Sequence, residues 1–352
     1  MAAASARVHL HFKFFSWLLL CLLSSPAYGS PLSLPTGAQN QLFPRGEFGI
    51  NNATGTPQIF SPSSRQFIPQ GPATDGSGTD FSPVALVWLA FCFVVGAPMA
   101  LAGVRGWRLS TGVGIGLSMA VCSWAAIINS VNNIGVPDGV ITSLVLAFFV
   151  IGCIFGLLEF GRAAGTAALG VTGGLAFGIR ICILREGLLI PGLDAYPLNW
   201  LLIASFGTLG GAAIIWQKTQ RPGILFGSAS VGTFLVFLGV DLIINRQAGM
   251  SRGLRFLFDR NASHALDIVV GGYTPTLLTQ ILLAVSLALT PTLAYAQHCL
   301  FSCAFNRNPR RDSEIAPLDF ETPKHANSAA PPAYGNNGMW YGKKEESSRF
   351  SV

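Results

Sequence analysis

From residue 83 onwards, apolar runs of about 20 residues alternate with short polar connections. A run of about 20 apolar residues is the length of helix that spans a ~30 Å hydrocarbon core. Seven such runs stand near residues 84–104, 109–128, 139–158, 163–184, 198–216, 223–244 and 276–297. The pattern predicts an all-α polytopic membrane protein, with seven transmembrane helices filling residues 83–301. Residues 1–29 read as a signal peptide, with basic Arg7 and Lys13, an apolar core from Phe14 to Leu23, and small Ala27 and Gly29 before the cleavage point. Residues 30–82 are rich in Pro, Gly, Ser, Asn and Thr. Such a segment cannot bury enough apolar surface to form its own core and is expected to be disordered. The polar tail at 302–352 carries the same expectation.

The connections set an orientation. Arg105 and Arg108 follow the first run, Arg162 the third, Lys218 and Arg221 the fifth, and Arg307, Arg310 and Arg311 the last. Short basic turns of this kind belong in the cytosol. With a secretory start, the N-terminus is expected in the lumen or outside, and the C-terminus in the cytosol. The stretch from Asn245 to Gly272 runs against this rule, because it carries Arg246, Arg252, Arg255 and Arg260 on the predicted lumenal side. It also holds the sequon Asn261-Ala262-Ser263, which pairs with a second sequon at Asn52-Ala53-Thr54; both asparagines are candidate glycosylation sites. Leu254 to Phe258 is expected to lie in the interface plane, with its arginines on lipid headgroups.

Composition agrees with a membrane domain. Hydrophobic residues make up 51% and charged residues only 11%, against roughly 25% charged in soluble domains. The net charge of +6 is spread along the chain, which suits membrane orientation rather than nucleic-acid binding. None of the seven cysteines falls in a predicted lumenal segment, so no extracellular disulfide framework is implied. Cys299 and Cys303, just past the last run, are candidates for palmitoylation.

Glycines recur at four-residue spacing, which lets helix backbones approach closely in lipid. The candidate packing positions are Gly112 and Gly116; Gly161 and Gly165; Gly170, Gly174 and Gly178; Gly207 and Gly211; and Gly223 and Gly227. Three basic turns, each followed by a Gly-rich helix, suggest three repeated hairpins plus one further helix. The turn-and-helix pattern stands as Gly103-Val-Arg-Gly-Trp-Arg-Leu-Ser-Thr-Gly-Val-Gly-Ile-Gly116 and again as Glu159-Phe-Gly-Arg-Ala-Ala-Gly165. In these stretches the chain resembles the transmembrane protein 198-like seven-span family, of the fungal type, over roughly residues 83–301. The resemblance implies a seven-span domain linked in animal relatives to signalling scaffolds and cell survival. It offers no catalytic residues to carry over.

Two ionisable side chains stand inside the runs, Arg180 and Asp241. Arg180 lies 18 residues after Arg162 and Asp241 lies 20 after Arg221, which puts them at similar depth at 1.5 Å per residue. They are expected to pair as buried opposite charges, or to serve as a proton or ion site in a transporter or channel. His264 and His298 lack metal-ligand spacing, so no cofactor or metal is expected and no enzymatic activity is assigned. A receptor reading is weakened by Glu159-Phe160-Gly161-Arg162 where an Asp/Glu-Arg-Tyr would stand. In the tail, Pro331-Pro332-Ala333-Tyr334 has the form that Nedd4-type WW domains dock, with Lys324, Lys343 and Lys344 nearby as acceptors for ubiquitin. The combined expectation is a scaffold or adaptor in the secretory-pathway membranes. Its expected partners are membrane lipids, a WW-domain ubiquitin ligase and further copies of itself, with no nucleic acid.

Overall fold

The structure, a computed structural model, describes residues 47–50, 57–61, 64–71, 74–103, 105–158, 161–190, 196–216 and 219–301. The expected signal peptide, Asn52, Glu159, Phe160, Lys218, Cys303 and the whole tail with Pro331, Pro332 and Tyr334 lie outside them. Among the described residues, seven helices are long and apolar enough to cross a membrane. They are α1 (Pro83–Ala102), α2 (Trp107–Ser130), α3 (Asp138–Leu157), α4 (Gly161–Cys182), α5 (Tyr196–Ile215), α6 (Gln220–Asn245) and α9 (Leu277–Leu300). Their ends fall within a few residues of the apolar runs, because a span must satisfy its backbone internally across the whole hydrocarbon core. Ser82 starts α1 by accepting the Ala85 amide with Pro83 in the first turn, and Thr276 starts α9 by accepting the Thr279 amide.

The bundle has an inner and an outer set of helices. In α2, α4 and α6 the membrane-spanning windows are 56%, 83% and 67% buried; in α1, α3, α5 and α9 the figures are 22% to 28%. The inner helices hold most of the glycines. A Cβ on Gly156 of α3 would come within 2.6 Å of the Gly112 Cα, and one on Gly152 within 2.7 Å of the Gly116 Cα. The α2–α3 seam is therefore glycine against glycine. On α4, Gly170 and Gly174 meet α5 at Gly210 and Phe206, while Gly173 meets α6 at Gly227. Gly165 lies against Thr111 of α2, Gly178 against Ile203, Gly207 against Leu175, and Gly223 against Ile214. Gly161 packs on the Phe155 carbonyl of its own turn, and Gly211 is buried.

The tightest pairs are α2 with α3, α4 with α5, and α1 with α6. The helices joined by basic turns are thus not the packing units, and the bundle does not group into three such hairpins. What repeats is the alternation, with every second span turned inward. Gly112 and Gly116 of α2 face α3, the helix that follows, whereas Gly165 of α4 faces back to Thr111 of α2.

That other end carries a cap. It consists of strands β1 (Glu47–Ile50) and β2 (Pro57–Phe60), the segment to Ser82, and the connection between α6 and α9. This connection folds into α7 (Met250–Phe258) and α8 (Ala265–Gly271), with single 3₁₀ turns at Arg246–Ala248 and Ala262–His264. The segment before α1 is drawn into this cap, which corrects the expectation of disorder for its described part. β1 and β2 pair antiparallel, with Phe48 opposite Ile59. Ile59 is fully buried against Ala265 and Ile268. The Gln70 amide donates to the Ala262 carbonyl at 2.9 Å and accepts from Leu266 N at 3.1 Å. Composition measures whether a segment can build its own core. Here the segment builds none; it satisfies its backbone on surfaces supplied by the bundle.

Candidate functional site: two buried charges and a capped cavity

Arg180 ends α4 fully buried, and its five N–H donors are met by neutral oxygens alone. Nε donates to the Ala176 carbonyl at 3.0 Å, one turn back. Nη1 donates to Thr233 Oγ1 and Thr290 Oγ1, each at 3.0 Å, and to the Ser286 carbonyl at 3.1 Å. Nη2 donates to Ser230 Oγ at 2.7 Å and to the Ser230 carbonyl at 3.2 Å. Phe177 and Phe234 lie beside the guanidinium, 5.5 and 6.0 Å from it. A charge at this depth costs at least about 2.5 kcal/mol on insertion scales. Dense charge–dipole bonding offsets that cost and ties α4, α6 and α9 together at one point.

Asp241 is also fully buried, with a different set of partners. Oδ1 accepts from Asn245 Nδ2 at 2.8 Å and from Thr279 Oγ1 at 2.9 Å. Oδ2 accepts the Met250 backbone N–H at 2.5 Å. Met250 is the first residue of α7, so the carboxylate sits at a helix N-terminus, where the dipole and a free N–H favour an anion. A Cβ on Gly249 would collide with Oδ2, so this approach needs glycine. Asp241 thereby latches the cap onto α6 and α9.

The expected Arg180–Asp241 pair is not formed. Among the described residues neither group belongs to an ion pair. Thr233 and Ser230, which hold Arg180, precede Asp241 by 8 and 11 residues on the same helix. That separates the two centres by about 12–16 Å at 1.5 Å per residue. Counting from the basic turns gave equal depth for the Cα atoms, but helical side chains lean toward the N-terminus. Arg180 reaches back to Ala176 and away from the cap.

The cap arginines have partners within the protein. Arg246 pairs with Asp80. Arg252 and Arg255 share Asp267, at 3.1 and 2.5 Å, and Arg252 also holds the Gly272 carbonyl. Arg260 stacks over the Tyr196 ring, and burial pulls its guanidinium below the ordinary value, opposed by Tyr196 and Asp259. Each of these four arginines thus has a partner within the protein, Arg260 on Tyr196 of α5 and the other three on carboxylates of the cap. Burial, with the Asp241 carboxylate adding to it, pushes the Tyr273 phenol above its usual value, and its hydroxyl donates to the Ile183 carbonyl.

Asn261 has a packing role as well. It is 8% exposed, and its side-chain amide donates to the Ile128 and Val131 carbonyls, which close α2. A glycan on that nitrogen would replace one donor and need space that the fold does not leave. The geometry opposes glycosylation here, although the sequon itself is intact. His264, isolated in the sequence, pairs with Asp259 at 3.0 Å in the same turn, and both are buried. Among the described residues no group of three His, Cys, Asp or Glu is placed to hold a metal ion. Cys299 is exposed near the end of α9.

Beneath the cap lies a cavity of about 180 Å³. Its walls come from α1, α2, α3, α4 and α6, and α7 with Asp75 and Ser77 of the N-terminal segment line its cap side. Trp88 and Trp124 hold that segment by donating their indole N–H groups to the Gly76 and Asp75 carbonyls, each at 2.8 Å. Gly76 has φ +78, and a Cβ there would come within 2.8 Å of Ile141, so this turn needs glycine twice over. No signal in the sequence marked this cavity; its residues read as ordinary span positions.

Seven apolar spans around a glycine-seamed interior define an integral, multi-pass membrane protein. A family model of the TM7S3/TM198-like domain matches residues 89–298, more than half of the chain, and the chain belongs to that family. No curated protein and no solved structure matches it.

Proposed function

We propose that the protein is a membrane scaffold or adaptor without enzymatic activity, whose bundle anchors a recruiting tail. One observation carries the reading: Arg180 and Asp241, the two intramembrane charges, are each occupied by structural hydrogen bonds. The strongest argument for a transporter or channel was a free acid or base at depth, and each of these groups has a fold-holding role instead. In this reading the cap faces the lumen or the outside. The basic-turn end, with exposed Arg105 and Arg108, faces the cytosol.

The tail then meets cytosolic partners. Pro331 and Pro332 favour a polyproline II backbone, and Tyr334 fills a second pocket of a WW domain. One motif of this size binds weakly, so self-association of the bundle would raise avidity. Palmitoyl groups on Cys299 and Cys303 would hold the start of the tail at the membrane. The role is recruitment of a WW-domain ubiquitin ligase, for turnover of this protein or its neighbours. The test is capture of the full-length protein by isolated WW domains. Wild type should be retained and Tyr334→Ala lost; equal retention of the two, or of neither, rules the recruitment out.

A further inference from the structure

The cavity beneath the cap is built almost wholly of apolar side chains. Trp88, Phe91, Trp124, Phe234 and Phe258 give it aromatic walls, with Leu117 and Leu238 among the aliphatic ones. Rings in the wall already meet edge to face. Trp88 and Phe91 lie 5.6 Å apart with 84° between their planes, and Trp124 and Phe258 lie 5.4 Å apart at 63°. In that arrangement the positive edge of one ring meets the negative face of the next.

The space is held open. A void beside large side chains closes when one of them turns into it, because interiors pack to the density of organic crystals. The two indoles are tied back from doing so. Trp88 Nε1 donates to the Gly76 carbonyl at 2.8 Å and to Thr142 Oγ1 at 3.0 Å, and Trp124 Nε1 donates to the Asp75 carbonyl at 2.8 Å. Turning either ring inward would cost the indole its acceptor.

Size and charge limit the occupant. A volume of about 180 Å³ exceeds the ~150 Å³ apolar site that holds benzene. It falls well short of the roughly 300–1,000 Å³ typical of drug-sized ligands. One ring fits, and a fused polycycle does not. Asp75, the carboxylate in the lining, has its Oδ1 taken up by Ser77 N and Oγ, at 2.8 and 2.5 Å, within its own turn. An ion in the apolar remainder would give up its hydration without replacement. The cavity is half-open, which leaves a small neutral molecule a way in.

We propose that the cavity is a receptor site for one small, uncharged aromatic ring, held by edge-to-face contacts with Trp88, Phe91 and Trp124. This site is independent of the tail and of any WW-domain partner.

The experiment uses the full chain in lipid nanodiscs, photolabelled with a trifluoromethyl phenyl diazirine, a single apolar ring, with labelled peptides read by mass spectrometry. The probe also dissolves in lipid, so the readout is the label that excess toluene removes. Residues 117–124 and 234–242, which contribute to the lining, should lose most of their label to toluene. Lipid-facing Val94 and Leu201, 72% and 63% exposed, should keep theirs. Pyrene, a fused polycycle, should leave the cavity label in place, and benzylammonium should compete no better than toluene. These comparisons need only the wild-type protein. Leu238→Trp, which puts a ring of the chain's own into the space, should remove the competable label while thermal unfolding reports an intact fold. Cavity label that toluene does not displace, or that falls in step with Val94 and Leu201, would overturn the site. Displacement by pyrene would overturn the size limit, and a preference for benzylammonium would overturn the uncharged ring.

Discussion

Arg180 and Asp241 are opposite charges, both sealed in the same bundle, and each is held by a different kind of device. The guanidinium needs acceptors, and it draws them from the Ser/Thr-rich seam of α6 and α9 and from backbone carbonyls. The carboxylate needs donors, and it takes one from the start of α7 and two from side chains near the helix ends. Mid-bundle, where helices satisfy their own backbone, acceptors are available because a carbonyl or hydroxyl oxygen accepts more than one bond. Free N–H groups occur only where a helix begins. The sign of each charge thus decides its depth: the cation sits among the spans and the anion under the cap.

That contrast orders the expected effects of mutation. The largest should be at Arg180. Arg180→Leu leaves buried oxygens without their donor and should lower stability by roughly 3–5 kcal/mol. Arg180→Lys, with a point charge in place of a fork, should fall between the two. Unfolding in mixed micelles measures this, and a silent Arg180→Leu would remove the cage from the account. Next come the seams. Gly173→Leu or Gly210→Leu forces the inner backbones apart and should cost about 1–3 kcal/mol, whereas outward Leu201→Ala should stay within about 0.5 kcal/mol.

Asp241→Asn should be milder and local, about 1–2 kcal/mol, because the amide places N–H groups where acceptors stood. Hydrogen exchange should rise in residues 250–258 and not in α4; a rise in α4 would join the two centres that the geometry separates. The smallest expected change is in covalent state. The cap that Asp241 latches also buries Asn261, so Asn261→Gln should leave the glycosidase-sensitive gel shift as it is in wild type. Any such shift should vanish in Asn52→Gln. Loss of the shift in Asn261→Gln would show that this part of the cap opens.

The spans were legible in the sequence because lipid imposes length and apolarity on each helix separately. Helix partners were less so. Gly112 and Gly116 were visible from their spacing, but the facing Gly152 and Gly156 sit in a run that reads as plain apolar sequence. Gly173 was hidden beside Gly174 because α4 packs on two sides, and four-residue spacing shows one face at a time. The apolar context of Arg180 and Asp241 shows that both are buried, but not that they stand apart, since residue counting locates Cα atoms and ignores the lean of long side chains. The cap was the least legible region. Its contacts join residues far apart in sequence, such as Gln70 with Ala262 and Asn129 with Phe258, through single hydrogen bonds that no periodicity records.

The account rests on Arg180 and Asp241 being separate structural centres and not one ion pair or one transport site. A double-mutant cycle on unfolding free energy, with Arg180→Leu, Asp241→Asn and the double variant, measures this directly. Separate centres predict additivity within about 0.5 kcal/mol. A coupling well beyond that, with the double variant recovering stability lost in either single one, would mean that the charges act on each other and would contradict the account.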